Sequence, residues 1–174
     1  MRFQVPGSGE FPPAFGRYVA RVSDVSDPLE ELSAQRARVV ARLLPLRDEQ
    51  AAARYAPDKW SVKTLVNHLS DVERVFAYRL LRIGRGDPTP LPGFEENDYA
   101  RAALSDRRPF SDVLAEWLTV RDATSALAGS LPEENWTNIG TSSDAPMSAR
   151  ALLYIVLGHT EHHLVVLADR YGVR

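Results

Sequence analysis

Apolar residues recur at helical spacing in four segments of the chain, each bounded by residues that start or stop helices. The first segment follows Asp27-Pro28, a capping residue before a proline suited to the first helical position, and Pro45 closes it. The other three have these limits: Ser61 to about Ile83, where Gly84 can end the helix, Ser111 or Asp112 to about Leu127, and Ser148 to the residue before Gly172. No series of alternating apolar and polar runs separates them, so the pattern predicts helices and does not require a sheet.

The segments between these helices predict the rest of the architecture. Residues 1–26, with several prolines and aromatic side chains, predict an irregular arm packed on the body of the protein, and 27–174 form a single domain. The polar stretch 48–54 predicts one or two helical turns, and 129–146 predicts turns. Residues 84–109 are rich in proline and glycine and predict a long crossover loop, which is usually functional or poorly ordered. Together these features predict an all-α four-helix bundle.

Composition removes several classes of function. The 174 residues fit one domain, and a net charge of −2 without a basic block argues against a nucleic-acid partner. Cysteine is absent, which excludes disulfides, iron–sulfur clusters and a cysteine nucleophile. The N-terminal residues lack the apolar run of a secretory signal, and the apolar run Leu152–Leu157 is far shorter than the roughly 20 residues of a membrane span. We therefore expect a cytoplasmic protein with no membrane partner.

The histidines are the strongest chemical signal. Three of the four lie in Gly158-His159-Thr160-Glu161-His162-His163, and the fourth is His68 in the second helix. His159 and His163 are four residues apart on one helical face, within the apolar stripe, and His68 lies at the edge of the stripe of its own helix. Three imidazoles can therefore point into one bundle interior. A divalent metal held by three histidines with a coordination position left free is typical of catalytic zinc.

Other interpretations of these residues remain open. The histidines could be hydrogen-bonded core residues without a metal, and His162 is expected to be partly exposed and unligated. Protease and ferritin-like motifs fail on spacing, since no glutamate follows His159 directly and none lies three residues before a histidine. Residues two apart on a helix face roughly opposite ways, so Glu161 cannot share an ion with His159.

Several neighbouring residues are weaker candidates. Asp71 could accept a hydrogen bond from the second nitrogen of a ligating histidine. A solvated carboxylate on the surface is an equally good interpretation of this residue. Trp60 is expected to pack against the start of the second helix as a hydrophobic staple. Arg150 and Arg170 could reach the site or an anionic substrate, but surface positions are the default, and the long loop offers three residues that could cover the site: Phe94, Asp98 and Tyr99.

These motifs resemble the DinB/YfiT-like superfamily of small bacterial metalloproteins. The resemblance rests on Trp60-Ser61 opening a helix, His68 in the context NHLSDVE, and GHTEHH near the C-terminus, and it covers essentially the whole chain. It implies a four-helix bundle with one divalent ion, usually zinc or nickel, held by His68, His159 and His163. Members include transferases that use bacillithiol or mycothiol and proteins described as metal-dependent hydrolases, and homodimers are common among them.

Three hypotheses follow. The first is a metal-dependent enzyme that presents an external low-molecular-weight thiol, or water, to a small electrophile; thiol transfer is slightly preferred because no glutamate stands beside the ligands as an obvious base. The second is a non-catalytic, stress-related protein that binds a metal or a small ligand. The third is a bundle with buried structural histidines and no metal. The oligomeric state stays open: a homodimer, common among the proteins that this chain resembles, is one alternative, with Leu157 and Leu164 as residues that could face a partner subunit.

Overall fold

The computed structural model describes residues 3–174 and is mainly helical. Four long helices form the bundle: α2 (Pro28–Leu43), α4 (Val62–Gly84), α6 (Phe110–Gly129) and α7 (Ala149–Tyr171). Three short helices complete the set: α1 (Gly16–Arg21), α3 (Asp48–Ala51) and α5 (Glu96–Ala102). The predicted all-α four-helix bundle is confirmed.

The long helices are arranged as a square. Helices α4 and α7 are neighbours, and each of them packs against a further long helix: α4 against α6, and α7 against α2. Because α2 also packs against α6, the square closes, with α6 and α7 on one diagonal. The histidine-bearing helices α4 and α7 are thus in direct contact along one side.

The predicted caps begin three of these helices. The Asp27 carboxylate accepts from the backbone N–H of Leu29, and the hydroxyls of Ser61 and Ser148 accept from backbone N–H groups three residues ahead. Helix α6 begins at Phe110, slightly before the predicted Ser111 or Asp112, and it has no cap of its own. Instead, Asp48 of α3 accepts a 2.7 Å hydrogen bond from the Phe110 N–H. This cap comes from a distant part of the chain, which local sequence cannot show.

The segment 129–146, where turns were predicted, contains most of a small hairpin. Residues 139–142 (β1) and 145–148 (β2) form an antiparallel hairpin with Ile139 opposite Ser148. Its two-residue turn is Ser143-Asp144, both at positive φ, 51° and 60°. Such turns usually carry Asn-Gly or another glycine pair, so this hairpin lacks the usual sequence signal. The segment 84–109, predicted as a loop from its proline and glycine content, also contains the short helix α5.

Helix α7 is the central apolar element of the fold. By length and composition it could cross a membrane, but 67% of its most apolar stretch is buried inside the protein, as in the core helix of a globular bundle. Leu157 and Leu164, the residues that could have faced a partner subunit, are fully buried within the chain. That interpretation was wrong because α7 is surrounded by α1, α2 and α4, so residues away from its main stripe are also covered.

A polar layer divides the core. One apolar cluster surrounds the first half of α7, and a second surrounds its C-terminal half together with Trp117. Between them the buried guanidinium of Arg121 donates to both carboxylate oxygens of Glu73, at 2.7 and 3.0 Å. Arg121 also donates to Gln35 and to Thr160, the residue after His159. This layer ties α2, α4 and α6 to α7 at the level of the histidines.

Candidate metal centre

The structure brings His68, His159 and His163 together. The Nε2 atom of His159 lies 3.1 Å from that of His68 and 3.2 Å from that of His163, and the three ligand atoms all lie within 4.8 Å of one another. His68 and His159 are buried, and His163 is half-buried. The one-turn spacing on α7 and the contact between α4 and α7 produce this convergence.

Hydrogen bonding alone cannot satisfy this arrangement. Each imidazole nitrogen offers either one proton or one lone pair, so His159 Nε2 cannot make good hydrogen bonds to both neighbours at once. A divalent cation accepts one lone pair from each ring. Tetrahedral coordination at zinc–nitrogen distances of about 2.1 Å separates ligand atoms by about 3.4 Å. The observed separations of 3.1 and 3.2 Å are close to that value.

Burial also keeps the three rings in the neutral, ligating form. It lowers the pKa of His68 to about 4 and lowers the pKa values of His159 and His163 well below the ordinary 6.5. Burial is the largest cause in each case, and repulsion from neighbouring histidines adds to it for His159 and His163. Neutral imidazoles at pH 7 are what metal ligation requires.

Within residues 3–174, no further histidine or carboxylate joins this cluster. Glu161 points elsewhere and accepts hydrogen bonds at 3.2 Å from both Gln35 and Arg38, as the helical spacing predicted. His162 is half-buried; its ring is 5.7 Å from the Tyr18 ring, and its Nδ1 atom has no hydrogen-bond partner among the described residues. A cation held by the cluster would keep coordination positions free.

Aromatic rings enclose the cluster on two sides. The Trp60 ring lies 4.8 Å from the His68 ring, so its contact reaches two turns into α4, beyond the helix start where we expected it. Its backbone carbonyl accepts a 2.6 Å hydrogen bond from the Tyr171 hydroxyl. On the other side, the ring of Tyr18 from α1 meets the His159 ring edge-on at 5.3 Å. Sequence reasoning placed Tyr18 in the arm but did not connect it with the site.

A cavity of about 260 Å³ opens beside the cluster. His159 lies in its wall together with Arg79, Glu96 and these aromatic side chains: Phe15, Tyr18, Phe76 and Phe94. Phe94 belongs to the long loop, so part of that loop lies over the cavity. Tyr99 is half-exposed and contacts Phe94 at 5.3 Å, whereas Asp98 pairs with Arg101 on the surface.

The other weak candidates lie away from the cluster. Asp71 accepts a 2.8 Å hydrogen bond from Asn67, and no bond joins it to His68 among the described residues. Its pKa is raised, chiefly by burial. Arg150 donates to Glu10 of the arm at 2.6 and 2.7 Å, and Arg170 is exposed in the last turn of α7. None of these residues supports a direct role at the cluster.

Comparison with known proteins agrees with this architecture. The profile of the DinB superfamily matches residues 31–167. A solved structure, YfiT from Bacillus subtilis, superposes with a TM-score of 0.74 at 15% sequence identity, covering 98% of this chain and 95% of that one. YfiT is described as a probable metal-dependent hydrolase with an unusual four-helix bundle topology. A search of curated proteins finds no match. The family profile spans most of the chain, and the chain therefore belongs to the DinB superfamily.

Proposed function

We propose that this protein is a metal-dependent enzyme in which His68, His159 and His163 hold one divalent cation, zinc or nickel. The observation that carries the proposal is the convergence of three neutral imidazoles beside a cavity, with no fourth ligand from the described residues. YfiT, described as a probable metal-dependent hydrolase, shares the fold and supports the same class of function. When bound, the cation would supply a Lewis acid that polarises a substrate oxygen or stabilises a thiolate.

The residues around the ligands have separate tasks in this proposal. Tyr18 and Trp60 cover the rings of His159 and His68, which limits the access of water from those directions. The Thr160 hydroxyl accepts a 3.1 Å hydrogen bond from the buried Arg121. This hydrogen bond would fix the rotation of α7 about its axis and with it the direction of His159 and His163. Small electrophilic substrates would enter through the cavity lined by Phe76 and Phe94.

Transfer of a low-molecular-weight thiol, of the bacillithiol or mycothiol kind, is the preferred reaction. The carboxylate nearest in sequence to the ligands, Glu161, is held by Arg38 and Gln35 and is unsuited to act as a base. A thiol needs less help from a base than water does because its pKa is far lower. Hydrolysis is the second candidate: the exposed Glu96 lies in the cavity wall and could take a proton from water.

Metal content tests the first part of the proposal. Elemental analysis of purified wild-type protein should give about one equivalent of zinc or nickel, and His163→Ala should lose most of it because only two ligands remain. His162→Ala is the matched control, since His162 is the adjacent residue and lies outside the cluster. Less than a tenth of an equivalent in the wild type, with no uptake on addition of either metal, would refute the metal centre.

Activity assays test the second part. Thiol consumption with 1-chloro-2,4-dinitrobenzene and hydrolysis of 4-nitrophenyl acetate should each be compared in wild type, His163→Ala and Glu96→Gln. We expect thiol transfer to depend on His163 and not on Glu96, whereas loss of ester hydrolysis in both variants would favour the hydrolase. If neither reaction depends on His163, the protein is a non-catalytic binder. The cytoplasmic location remains a prediction, and the homodimer remains one alternative.

A further inference from the structure

Arg79 is a buried cation without a counter-ion. It is 2% exposed, yet no Asp or Glu forms an ion pair with it among residues 3–174. The other deeply buried arginine, Arg121, makes a two-point ion pair with Glu73. Burial lowers the pKa of Arg79, and no neighbouring acid offsets this effect. Burying an unpaired charge is costly, so a buried arginine is expected to have a negatively charged partner.

The hydrogen bonds of Arg79 leave part of its guanidinium unused. Nη2 donates to the Pro92 carbonyl at 2.8 Å and to the Ser143 hydroxyl at 3.0 Å, which joins the long loop to the hairpin turn. Nε and Nη1 have no hydrogen-bond partner in the described part of the chain. The ring centroids of Phe76 and Phe94 lie 5.1 and 5.8 Å from the guanidinium carbon of Arg79, in weak cation–π contact with it. All of these partners are uncharged, so the positive charge of Arg79 stays uncompensated.

Arg79 shares a cavity with the proposed metal centre. Arg79 and His159 both line the 260 Å³ cavity, and so does Phe76, which contacts the Arg79 guanidinium. On α4, residues 68, 72, 76 and 79 fall on one helical face, which runs from His68 to Arg79. With a rise of about 1.5 Å per residue, the Cα atoms of His68 and Arg79 lie about 16 Å apart along the helix axis, and the long Arg79 side chain leans towards the helix N-terminus and therefore towards the cluster.

We infer that the cavity binds an elongated small molecule whose single carboxylate pairs with Arg79. Its apolar body would lie along Phe76 and Phe94, and its other end would reach the histidine cluster. This inference deepens the proposed function, because it names the chemical class of substrate for the same site. The unused N–H groups at Nε and Nη1 lie on different edges of the planar guanidinium, and each can donate one charge-assisted hydrogen bond to a carboxylate oxygen.

Two exposed carboxylates in the cavity wall restrict the class of ligand further. Glu95 and Glu96 line the same cavity and are exposed. Glu95 is occupied at the start of α5, where it accepts from the Asn97 backbone and side chain at 3.1 Å. Two negative charges at the entrance repel polyanions such as polyphosphates more strongly than a molecule with one negative charge. The cavity therefore favours monocarboxylates with an aromatic or aliphatic body.

Binding of phenylalkanoates tests the inference without the metal. Full-length protein treated with EDTA is titrated with phenylacetate, 4-phenylbutyrate and 6-phenylhexanoate, and with neutral 4-phenylbutyramide, followed by two-dimensional NMR. We expect at least one acid to bind, the amide to bind at least tenfold more weakly, and Arg79→Met to weaken acid binding at least tenfold. Arg85→Met is the matched control: it removes the same charge from the exposed end of α4 and should change affinity less than twofold.

The outcomes separate this inference from the metal proposal. Equal binding to Arg79→Met and wild type, equal binding of acid and amide, or no binding by any acid would overturn the carboxylate site whatever the metal content. Binding that requires added zinc and vanishes in His163→Ala but not in Arg79→Met would place the carboxylate on the metal and would also overturn it. If Arg79→Met does not fold, nuclear Overhauser contacts in the wild type decide, since the phenyl group must contact Phe76 and Phe94.

Discussion

Gly158 allows α1 to approach α7 next to the histidine cluster, and its replacement by alanine is a sharp test of this packing. A Cβ atom at Gly158 would lie 2.0 Å from the carbonyl oxygen of Tyr18 and 2.5 Å from its carbonyl carbon. Non-bonded heavy atoms normally stay about 3.5 Å apart. Because both atoms belong to the backbone of α1, no side-chain rotation can relieve the clash. Helix α1 must therefore move by about 1.5 Å to restore the normal separation.

Two opposing effects set the size of the change. Overpacking a well-packed contact costs about 1–3 kcal/mol, and a backbone clash belongs at the upper end of that range. Alanine recovers about 1 kcal/mol over glycine through its helix propensity. We therefore expect Gly158→Ala to lower the free energy of unfolding by about 2 kcal/mol, which for a chain of this length lowers Tm by roughly 4–8 °C. The displacement also moves Tyr18 away from His159.

Thermal and urea denaturation followed by circular dichroism measure this effect. Gly129→Ala is the matched control, because Gly129 lies at the end of α6 and no atom lies within 4 Å of an added Cβ. The control should be neutral or stabilised by up to about 1 kcal/mol. If Gly158→Ala is as stable as the control, α1 does not pack against α7 as closely as described, and the reasoning fails.

Two further predictions concern ion pairs. Hydrogen bonds from Arg150 lower the pKa of Glu10 from 4.5 to about 2, so its stabilisation is complete above about pH 4.5 and is lost as the pH falls towards 2. Glu10→Gln should cost about 2 kcal/mol at pH 7 and flatten the acid limb of the stability curve; an unchanged limb would contradict this. Arg121→Met should cost about 3–5 kcal/mol in urea unfolding because Glu73 is then left buried without its ion-pair partner. The exposed pair of Arg36 supplies the control, since Arg36→Met should cost less than about 1 kcal/mol, and equal losses would refute the distinction.

Much of the candidate site follows from local sequence. His159 and His163 are one helical turn apart, and the apolar residues around them indicate that their face is buried. The position of His68 at the edge of a second apolar stripe adds the third ring. Helical periodicity is a local property, so these inferences need no knowledge of how the helices pack. The distances between the rings, by contrast, depend on the contact between α4 and α7.

The surroundings of the site could not be predicted in the same way. Arg79 and Arg121 both interrupt apolar stripes, and a charged residue in a stripe is the signal that could have drawn attention to them. The sequence does not show that Arg121 meets Glu73 while Arg79 meets no acid. That difference arises from the packing of three distant segments. The Tyr18 contact with His159 likewise requires the arm to fold back onto α7.

The amino-acid sequence by itself determined the four long helices, three of their caps and the two stretches that carry the histidines, because capping and amphipathic periodicity act within a few residues. Tertiary structure alone decided the square arrangement of the helices, the cap that Asp48 gives to α6, and the hairpin with its unusual turn. It also decided which buried charge has a partner. These features depend on contacts between residues far apart in the chain, whose free energy is realised only when the helices pack together.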